Sequence, residues 1–366
     1  FRGTIRQNLT LGRAGITASG SGGGRELGQA ARLVSSLPGG LSTMLGEGGT
    51  GVSGGEAQRL AIARAALAKA GLVIADEPTA HLDPATAEAV REGLTRLAAG
   101  RTTVIVDAAA PPRGRASWNA HASTLAMEVT SGRRPVVVNC GSGISFGPDW
   151  RRAGRATPSH STLGIQGFSS SRFGASGVLP APRGEFTDAP DQVWAQPEDD
   201  SAGHSLLAGH NGYVPTHGLT HVRQLMLSID GRALAGEDTL GAMTVADRRR
   251  FETIMERTRH QGVPFSLRFH LHPDVDCALD LGGAAVSLAL KSGEIWIFRH
   301  DGVGELALEP SVYLESGRLK PRATKQIVLS ARVIDYACQL GWTLAKAQDT
   351  PTAIRDTLRE NDPPTD

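Results

Sequence analysis

Alternation of apolar and polar positions dominates the chain from residue 107 onward. In STLAMEVT (123–130), Leu125, Met127 and Val129 share one face, Ser131-Gly132-Arg133-Arg134 turns the chain, and PVVVN (135–139) returns. The theme recurs in THVRQLMLSI (220–229), PFSLRFHLH (264–272), AAVSLAL (284–290), EIWIFRH (294–300) and KQIVLSARV (325–333). Many short runs joined by polar turns predict an antiparallel β-sandwich. Residues 165–205, rich in Ser, Gly, Pro and Asp, read as including a long surface loop, and 346–366, ending in ENDPPTD, as a frayed tail.

Residues 1–106 follow another period. Behind Gly54 and Gly55, Leu60, Ile62, Ala63, Ala66 and Leu67 recur at helical spacing, and LVIAD (72–76) reads as a short buried strand. Asp83 as N-cap ahead of Pro84 starts a helix to about Leu97, and TTVIV (102–106) follows as a second strand. Strand, helix, strand predicts a βαβ unit on a parallel sheet. Pro111, Pro112 and Gly114 then break the pattern. The expected division is 1–106, 107–345 and a tail from 346 to 366.

A length of 366 residues has room for two such domains. Lys plus Arg number 38 against 37 Asp plus Glu, so no basic footprint marks a nucleic-acid partner. Cys140, Cys277 and Cys338 are odd in number and far apart, which excludes a disulfide framework and reads as buried thiols. No apolar run approaches the ~20 residues of a membrane span, and no signal peptide is visible, which favours the cytoplasm. Residue 1 is Phe, and FRGTIRQNLTLGR reads as the middle of a longer sequence.

In the first segment, VSGGE (52–56), LVIADEP (72–78) and HLD (81–83) occur in the order of a signature loop, a Walker B strand and a D-loop. The segment resembles the ABC transporter ATPase family, and GTIRQNLTLGR with GEGGTG resembles its exporters, the thiol-reductant exporters among them. The resemblance implies that Ser53, Gly54, Gly55 and Glu56 face the γ-phosphate of ATP held by the opposite subunit. It further implies that Asp76 holds Mg²⁺, that Glu77 polarises the attacking water and that Asp83 belongs to the D-loop. The alternative for Asp76 and Glu77 is that they end a strand and cap a turn. No G-x-x-x-x-G-K-[ST] string occurs, and Asp107 follows TTVIV where the family has its switch histidine. ATP and Mg²⁺ are therefore expected only in trans, with an intact ABC subunit as partner.

The second segment carries NAHASTLAMEVTSGRRPVVVNCG (119–141), RATPSHSTL (155–163), GLTHVRQLML (218–227), RFHLHPDV (268–275), SVYLE (311–315) and QIVLSARV (326–333). These strings resemble the C-terminal β domain of the heparinase II/III family of polysaccharide lyases. The hairpin of 123–139 places His121 and Asn139 at one open end, and His160 approaches it from a third strand. The resemblance implies a catalytic His at the position of Asn119 and a Zn²⁺ or Ca²⁺ site at His121, Asn139 and His160. Asn139 stands where the family has Asp, and so does Ser123; a metal site that trades carboxylate for amide loses charge and affinity. The alternative for His121 and His160 is a hydrogen-bonded structural pair.

Lyases of this kind cleave uronate-containing glycans by β-elimination, which requires a base, an enolate stabiliser and an acid. Some of these groups come from an α/α toroid with no counterpart in these 366 residues. Among glycan-binding candidates, Arg268, His270 and His272 face one way while Leu267, Phe269 and Leu271 face the core. That row binds an anionic sugar or a metal, or is a solvated polar face. His210-Asn211-Gly212-Tyr213 contains a hairpin signal, with His217 and His221 nearby, and reads as a loop lining a groove. Trp150, Trp296 and Tyr313 either stack on sugar rings or fill the core.

The fold expected is α+β overall: a partial P-loop NTPase α/β fragment followed by an antiparallel β-sandwich. The function expected is a polysaccharide-lyase-related module, glycan-binding or inactive in isolation, fused near Val106 to an ATPase fragment. The alternatives are an ABC remnant lending its signature loop in trans and a non-functional chimera.

Overall fold

The computed structural model describes residues 3–10, 34, 39–46, 56, 60–64, 93, 101–173, 184–199, 201–315 and 317–347. Ser53, Gly54, Gly55, Asp76, Glu77 and Asp83 lie outside the described residues, as do LVIAD and residues 348–366 of the expected tail. Near the start, Ile5–Thr10 is helical and Gly3–Thr4 pairs with Met44–Leu45. Ile5, Leu9, Leu45, Leu60 and Ala63 share a small apolar cluster, with 60–64 helical as the spacing predicts.

The main body is two antiparallel sheets. The seven-stranded sheet contains β1 (Thr102–Val106), β2 (Met127–Ser131), β3 (Arg134–Val138), β4 (Leu163–Ile165), β9 (Val263–Leu271), β13 (Glu305–Tyr313) and β14 (Arg322–Val333). Its order is β13-β14-β9-β3-β2-β1, and β4 pairs with β9 beyond the end of β3. The eight-stranded sheet contains β5 (Val193–Asp199), β6 (Gly203–Tyr213), β7 (Leu219–Ser228), β8 (Ala233–Gly241), β10 (Val275–Asp280), β11 (Ala285–Leu290), β12 (Ile295–His300) and β15 (Ala337–Lys346). Its order is β10-β11-β12-β15-β8-β7-β6-β5. One apolar core, with Met127, Val129, Leu267, Phe269, Leu225, Trp296 and Trp342 among its members, draws on both sheets. That is the packing of a sandwich, whose core is filled by the inward-facing residues of both sheets.

Three expectations change. TTVIV is not the second strand of a parallel unit: it is β1, and its five residues pair antiparallel with Ser131 back to Met127. A short β-branched run reads the same in either kind of sheet. Thr102 Oγ1 also donates to Gly231 O at 2.6 Å, tying β1 to the loop between β7 and β8. Within 165–205, Val193–Asp199 is strand β5 rather than loop. Asn211-Gly212 is no hairpin turn either: β6 runs on to Tyr213, with an irregularity in register between His210 and Tyr213. A β-carbon on Gly212 would stand 2.7 Å from Ser170 O, so this glycine serves a close backbone approach.

The predicted hairpin is present as β2 and β3, turning at Gly132 with φ 61°. Cys140 and Cys277 are buried and Cys338 is half-buried, all three as free thiols.

Candidate functional site

The open end of the β2–β3 hairpin gathers the residues expected there. The segment before β2 is fixed by Ala122 N–H to Arg155 O at 2.8 Å and Leu125 N–H to Asp107 O at 2.7 Å. The segment before β4 is fixed by Cys140 N–H to Ser159 O at 2.9 Å and by Ser161 Oγ to Val138 O at 2.7 Å. His121 and His160, one on each segment, meet with Nδ1 of the first 3.0 Å from Nε2 of the second, rings edge to face. His160 Nδ1 lies 2.9 Å from Ala156 O and must donate to it, so His160 Nε2 accepts and the proton between the rings sits on His121 Nδ1.

Burial, followed by the neighbouring His160 and Arg155, pulls His121 down to about 3, although the Gly154 carbonyl pulls the other way. Burial pulls His160 down to about 4. Both rings are neutral at pH 7, and a group of such low pKa is a poor proton acceptor there.

Asn139 is engaged on both sides of its amide. Its Oδ1 accepts from Ser161 N–H at 2.9 Å, and its Nδ2 donates to Glu128 Oε1 at 3.0 Å. Burial raises the Glu128 carboxyl above its ordinary value, against the two hydrogen bonds from Asn139. The Zn²⁺ or Ca²⁺ expected at His121, Asn139 and His160 does not fit this donor set. The two imidazoles bond each other, the third member is an amide already used, and no group of three His, Cys, Asp or Glu converges among the described residues.

Asn119 is exposed, and its Oδ1 accepts from Arg151 at 2.9 Å. The same Arg151 nitrogen donates to Trp118 O at 2.8 Å, and the guanidinium lies 4.6 Å from the Trp118 ring centre. Arg155, by contrast, is 3% exposed and spends its donors on Ala120 O, Gly184 O and Ser117 O at 2.6–2.7 Å. It is a staple beneath the site. Burial and then Arg151 lower it to about 10.

The other candidates lie elsewhere. His210 and Tyr213 are inside the sandwich, not on a groove. His210 Nε2 lies 3.2 Å from His221 Nδ1, His221 Nε2 2.8 Å from Asp238 Oδ1, and Tyr213 Oη donates to Leu163 O at 3.0 Å. Asp238 Oδ1 also accepts from Arg223 Nε at 2.8 Å, and Oδ2 from Trp342 Nε1 at 2.9 Å. Arg223 then reaches across to Leu125 O at 2.6 Å and Ser161 O at 3.2 Å, so this network braces both segments of the hairpin end.

The Arg268, His270 and His272 row is broken up rather than solvated. His270 is 2% exposed, with Nδ1 2.7 Å from Ser311 Oγ and Nε2 2.9 Å from Pro158 O. His272 follows the end of β9 and packs edge to face on Tyr313. Arg268, like His272, is half-buried. Trp296 is core, while Trp150 is 37% exposed.

Arg223, Asp238, Trp342, Glu128, Arg151 and Arg155 are the residues that sequence reading passed over. For the first two a signal existed. In LTHVRQLMLS, His221 and Arg223 share the phase of Leu219, Leu225 and Leu227, and in ALAGEDTLG, Asp238 shares that of Leu234 and Leu240. Opposite charges in the core phase of neighbouring strands announce a buried ion pair.

Comparison with known proteins agrees with the two-part reading. Residues 3–80 match the ABC transporter family. ABC transporter B family member 21 of Arabidopsis thaliana is 40% identical over 106 residues, 29% of this chain and 8% of that protein. The uncharacterised ABC transporter ATP-binding protein YwjA of Bacillus subtilis is 40% identical over 106 residues, 18% of its length. The chain thus spans less than a fifth of either relative. No described helix is long and apolar enough to cross a membrane. A mutant of the heparan sulfate lyase HepC from Pedobacter heparinus superposes with TM-score 0.50 at 12% identity, covering 88% of this chain and 46% of that one, a likeness of fold. Residues 82–343 match the family described as heparinase II/III-like, C-terminal, and to that family the chain belongs.

Proposed function

We propose that the sandwich is a non-catalytic module that binds uronate-containing oligosaccharides at the open end of the β2–β3 hairpin. The observation that carries this reading is Arg151: it is stacked on the 39%-exposed indole of Trp118, bonded to Asn119, and next to a histidine pair that is neutral and closed on itself. A cation beside an exposed ring suits a carboxylated sugar. No base operates there: Asn119 does not titrate, and His121 and His160 hold protons too weakly. Calorimetric titration of the full chain with a heparan-sulfate-derived tetrasaccharide tests this. Binding that R151A or W118A weakens about tenfold supports it. No binding sinks it, and ultraviolet absorbance from unsaturated uronate product would replace it with a lyase.

The junction between the two parts is proposed to lie before Thr102, because β1 belongs to the sandwich sheet. A second reading rests on the match of residues 3–80: the signature string Val52-Ser53-Gly54-Gly55-Glu56 is offered in trans to ATP and Mg²⁺ on a complete ABC subunit. Nucleotide-dependent association with such a subunit, lost in S53R, is its test.

A further inference from the structure

On the outer face of the seven-stranded sheet, Ser266, Arg268 and His270 follow one another along β9, and Ser330 and Glu305 stand in register with Ser266 on β14 and β13. Between this face and the Gln166–Gly167 turn lies a cleft of about 810 Å³, into which Gln166, Ser266, Arg268, Glu305, Ser330 and Arg332 all open. Small-ligand sites occupy roughly 300–1,000 Å³.

Arg268 distinguishes this cleft. Other buried or half-buried arginines of the sandwich have partners: Arg155 three carbonyls, Arg223 Asp238, and Arg322 both Asp274 and Glu315. Among the described residues the Arg268 guanidinium makes neither hydrogen bond nor ion pair; only its backbone N–H is used, on Thr162 O. Glu309 attracts it without pairing and accepts instead from Gln326 Nε2 at 3.4 Å. A half-buried guanidinium with five unused donors is a strong site for an oxyanion, because reduced solvent screening strengthens charge-assisted hydrogen bonds.

The rest of the cleft is built for hydroxyls. Ser266 Oγ and Ser330 Oγ are 3.3 Å apart, so one donates to the other and one hydroxyl hydrogen remains for a ligand. Glu305 supplies an acceptor and Gln166 both kinds of group. Arg332, anchored by Nη1 on Gln261 O at 2.9 Å, closes the far end. A bare anion has no use for a neighbouring carboxylate, whereas a sugar ring donates to it.

We propose that this cleft is a second binding site, which takes the carboxylate or sulfate of an acidic saccharide on Arg268 and its ring hydroxyls on Glu305, Ser266 and Ser330. The choice of ligand class rests on the function proposed above, but the site is separate. Pro158 forms the cleft rim, while His160, two residues on, is buried toward His121.

The full chain is titrated calorimetrically with a heparan-sulfate-derived tetrasaccharide, its desulfated and carboxyl-reduced counterpart, and inorganic sulfate. R268A and R268Q are expected to weaken the acidic tetrasaccharide about tenfold or more, with R268K between them and the wild type. The neutral tetrasaccharide is expected to bind the wild type more weakly than the acidic one does, by at least the factor lost in R268A. Loss in R268A with retention in R151A supports the cleft and removes the hairpin-end reading. Loss in R151A with retention in R268A overturns the cleft alone. Sulfate binding as tightly as the tetrasaccharide overturns the saccharide assignment in favour of a free oxyanion, and a wild type that binds nothing overturns both sites.

Discussion

The sandwich holds two pairs of histidines with nearly the same internal geometry and opposite surroundings. His121 and His160 approach to 3.0 Å and His210 and His221 to 3.2 Å, and in both pairs the ring centres are 5.2 Å apart and the rings nearly perpendicular. The inner pair ends on a carboxylate. Gly212 N–H donates to His210 Nδ1, His210 Nε2 to His221 Nδ1, and His221 Nε2 to Asp238, which Arg223 and Trp342 hold from the other sides. The outer pair ends on the carbonyl of Ala156, with arginines and no carboxylate against it. The imidazole pair alone therefore decides nothing. Anchored on Asp238, it ties three neighbouring strands of one sheet to Arg223, the strut that crosses to the other; at the hairpin end, it is a neutral wall beside the half-buried Arg151.

The most severe way to break that contrast is D238N. Burial pushes the Asp238 carboxyl up, but Arg223 and His221 more than offset it and hold it at about 2. Removing the charge leaves Arg223 buried without a counter-ion, at a cost of about 3–5 kcal/mol. Urea denaturation measures it, and a loss below about 1 kcal/mol would mean that the inner network is not the strut.

Acid titration of the buried rings comes next. Folded pKa values of about 4 for His160 and His270, both lowered by burial, lie below the ordinary 6.5. The unfolded chain thus takes up protons first as pH falls. Stability from each ring is complete above about pH 6.5 and declines by about 1.4 kcal/mol per pH unit down to about 4, where the folded rings protonate too. Asp238 adds its loss lower, as pH falls from the ordinary carboxylate value through about 2. A flat stability profile between pH 6.5 and 4 would show that these rings are not held neutral.

How far each pair was legible follows from range in sequence. His121, Asn139 and His160 were placed together because one hairpin, read from alternation and a turn, determines where its open end lies. The inner pair was misread because Asn211-Gly212 imitates a two-residue turn, while the strand in fact continues past it. Its partner Asp238 lies 17 residues from His221, and Trp342 a further 104 from Asp238, brought in only by strand order. The strand β1 failed for the opposite reason. Five β-branched residues specify an extended, buried segment, and the neighbour that pairs with it is chosen by tertiary structure.

Smaller in effect is H160N, which removes one inter-ring bond. A loss of about 1 kcal/mol is expected in the same urea titration. A loss equal to that of D238N would erase the distinction between strut and wall.

The finest test is Zn²⁺. Facing nitrogens 3.0 Å apart are close enough to share a metal if the bridging proton leaves, so the pairs differ in whether anything else would complete the site. At the hairpin end the next group is Asn139, whose amide oxygen is held by Ser161 N–H, and a tetrahedral ion would find two ligands and no negative charge. Inside the sandwich, Asp238 supplies the charge but is shared among His221, Arg223 and Trp342. Ligand at a hundredfold excess over its Kd would stabilise the fold by about 2.7 kcal/mol. The expectation is that micromolar Zn²⁺ leaves the melting temperature where EDTA leaves it. A rise abolished by H121A would mean that the hairpin end reorganises around a metal, and its neutral wall would then be the empty form of a site.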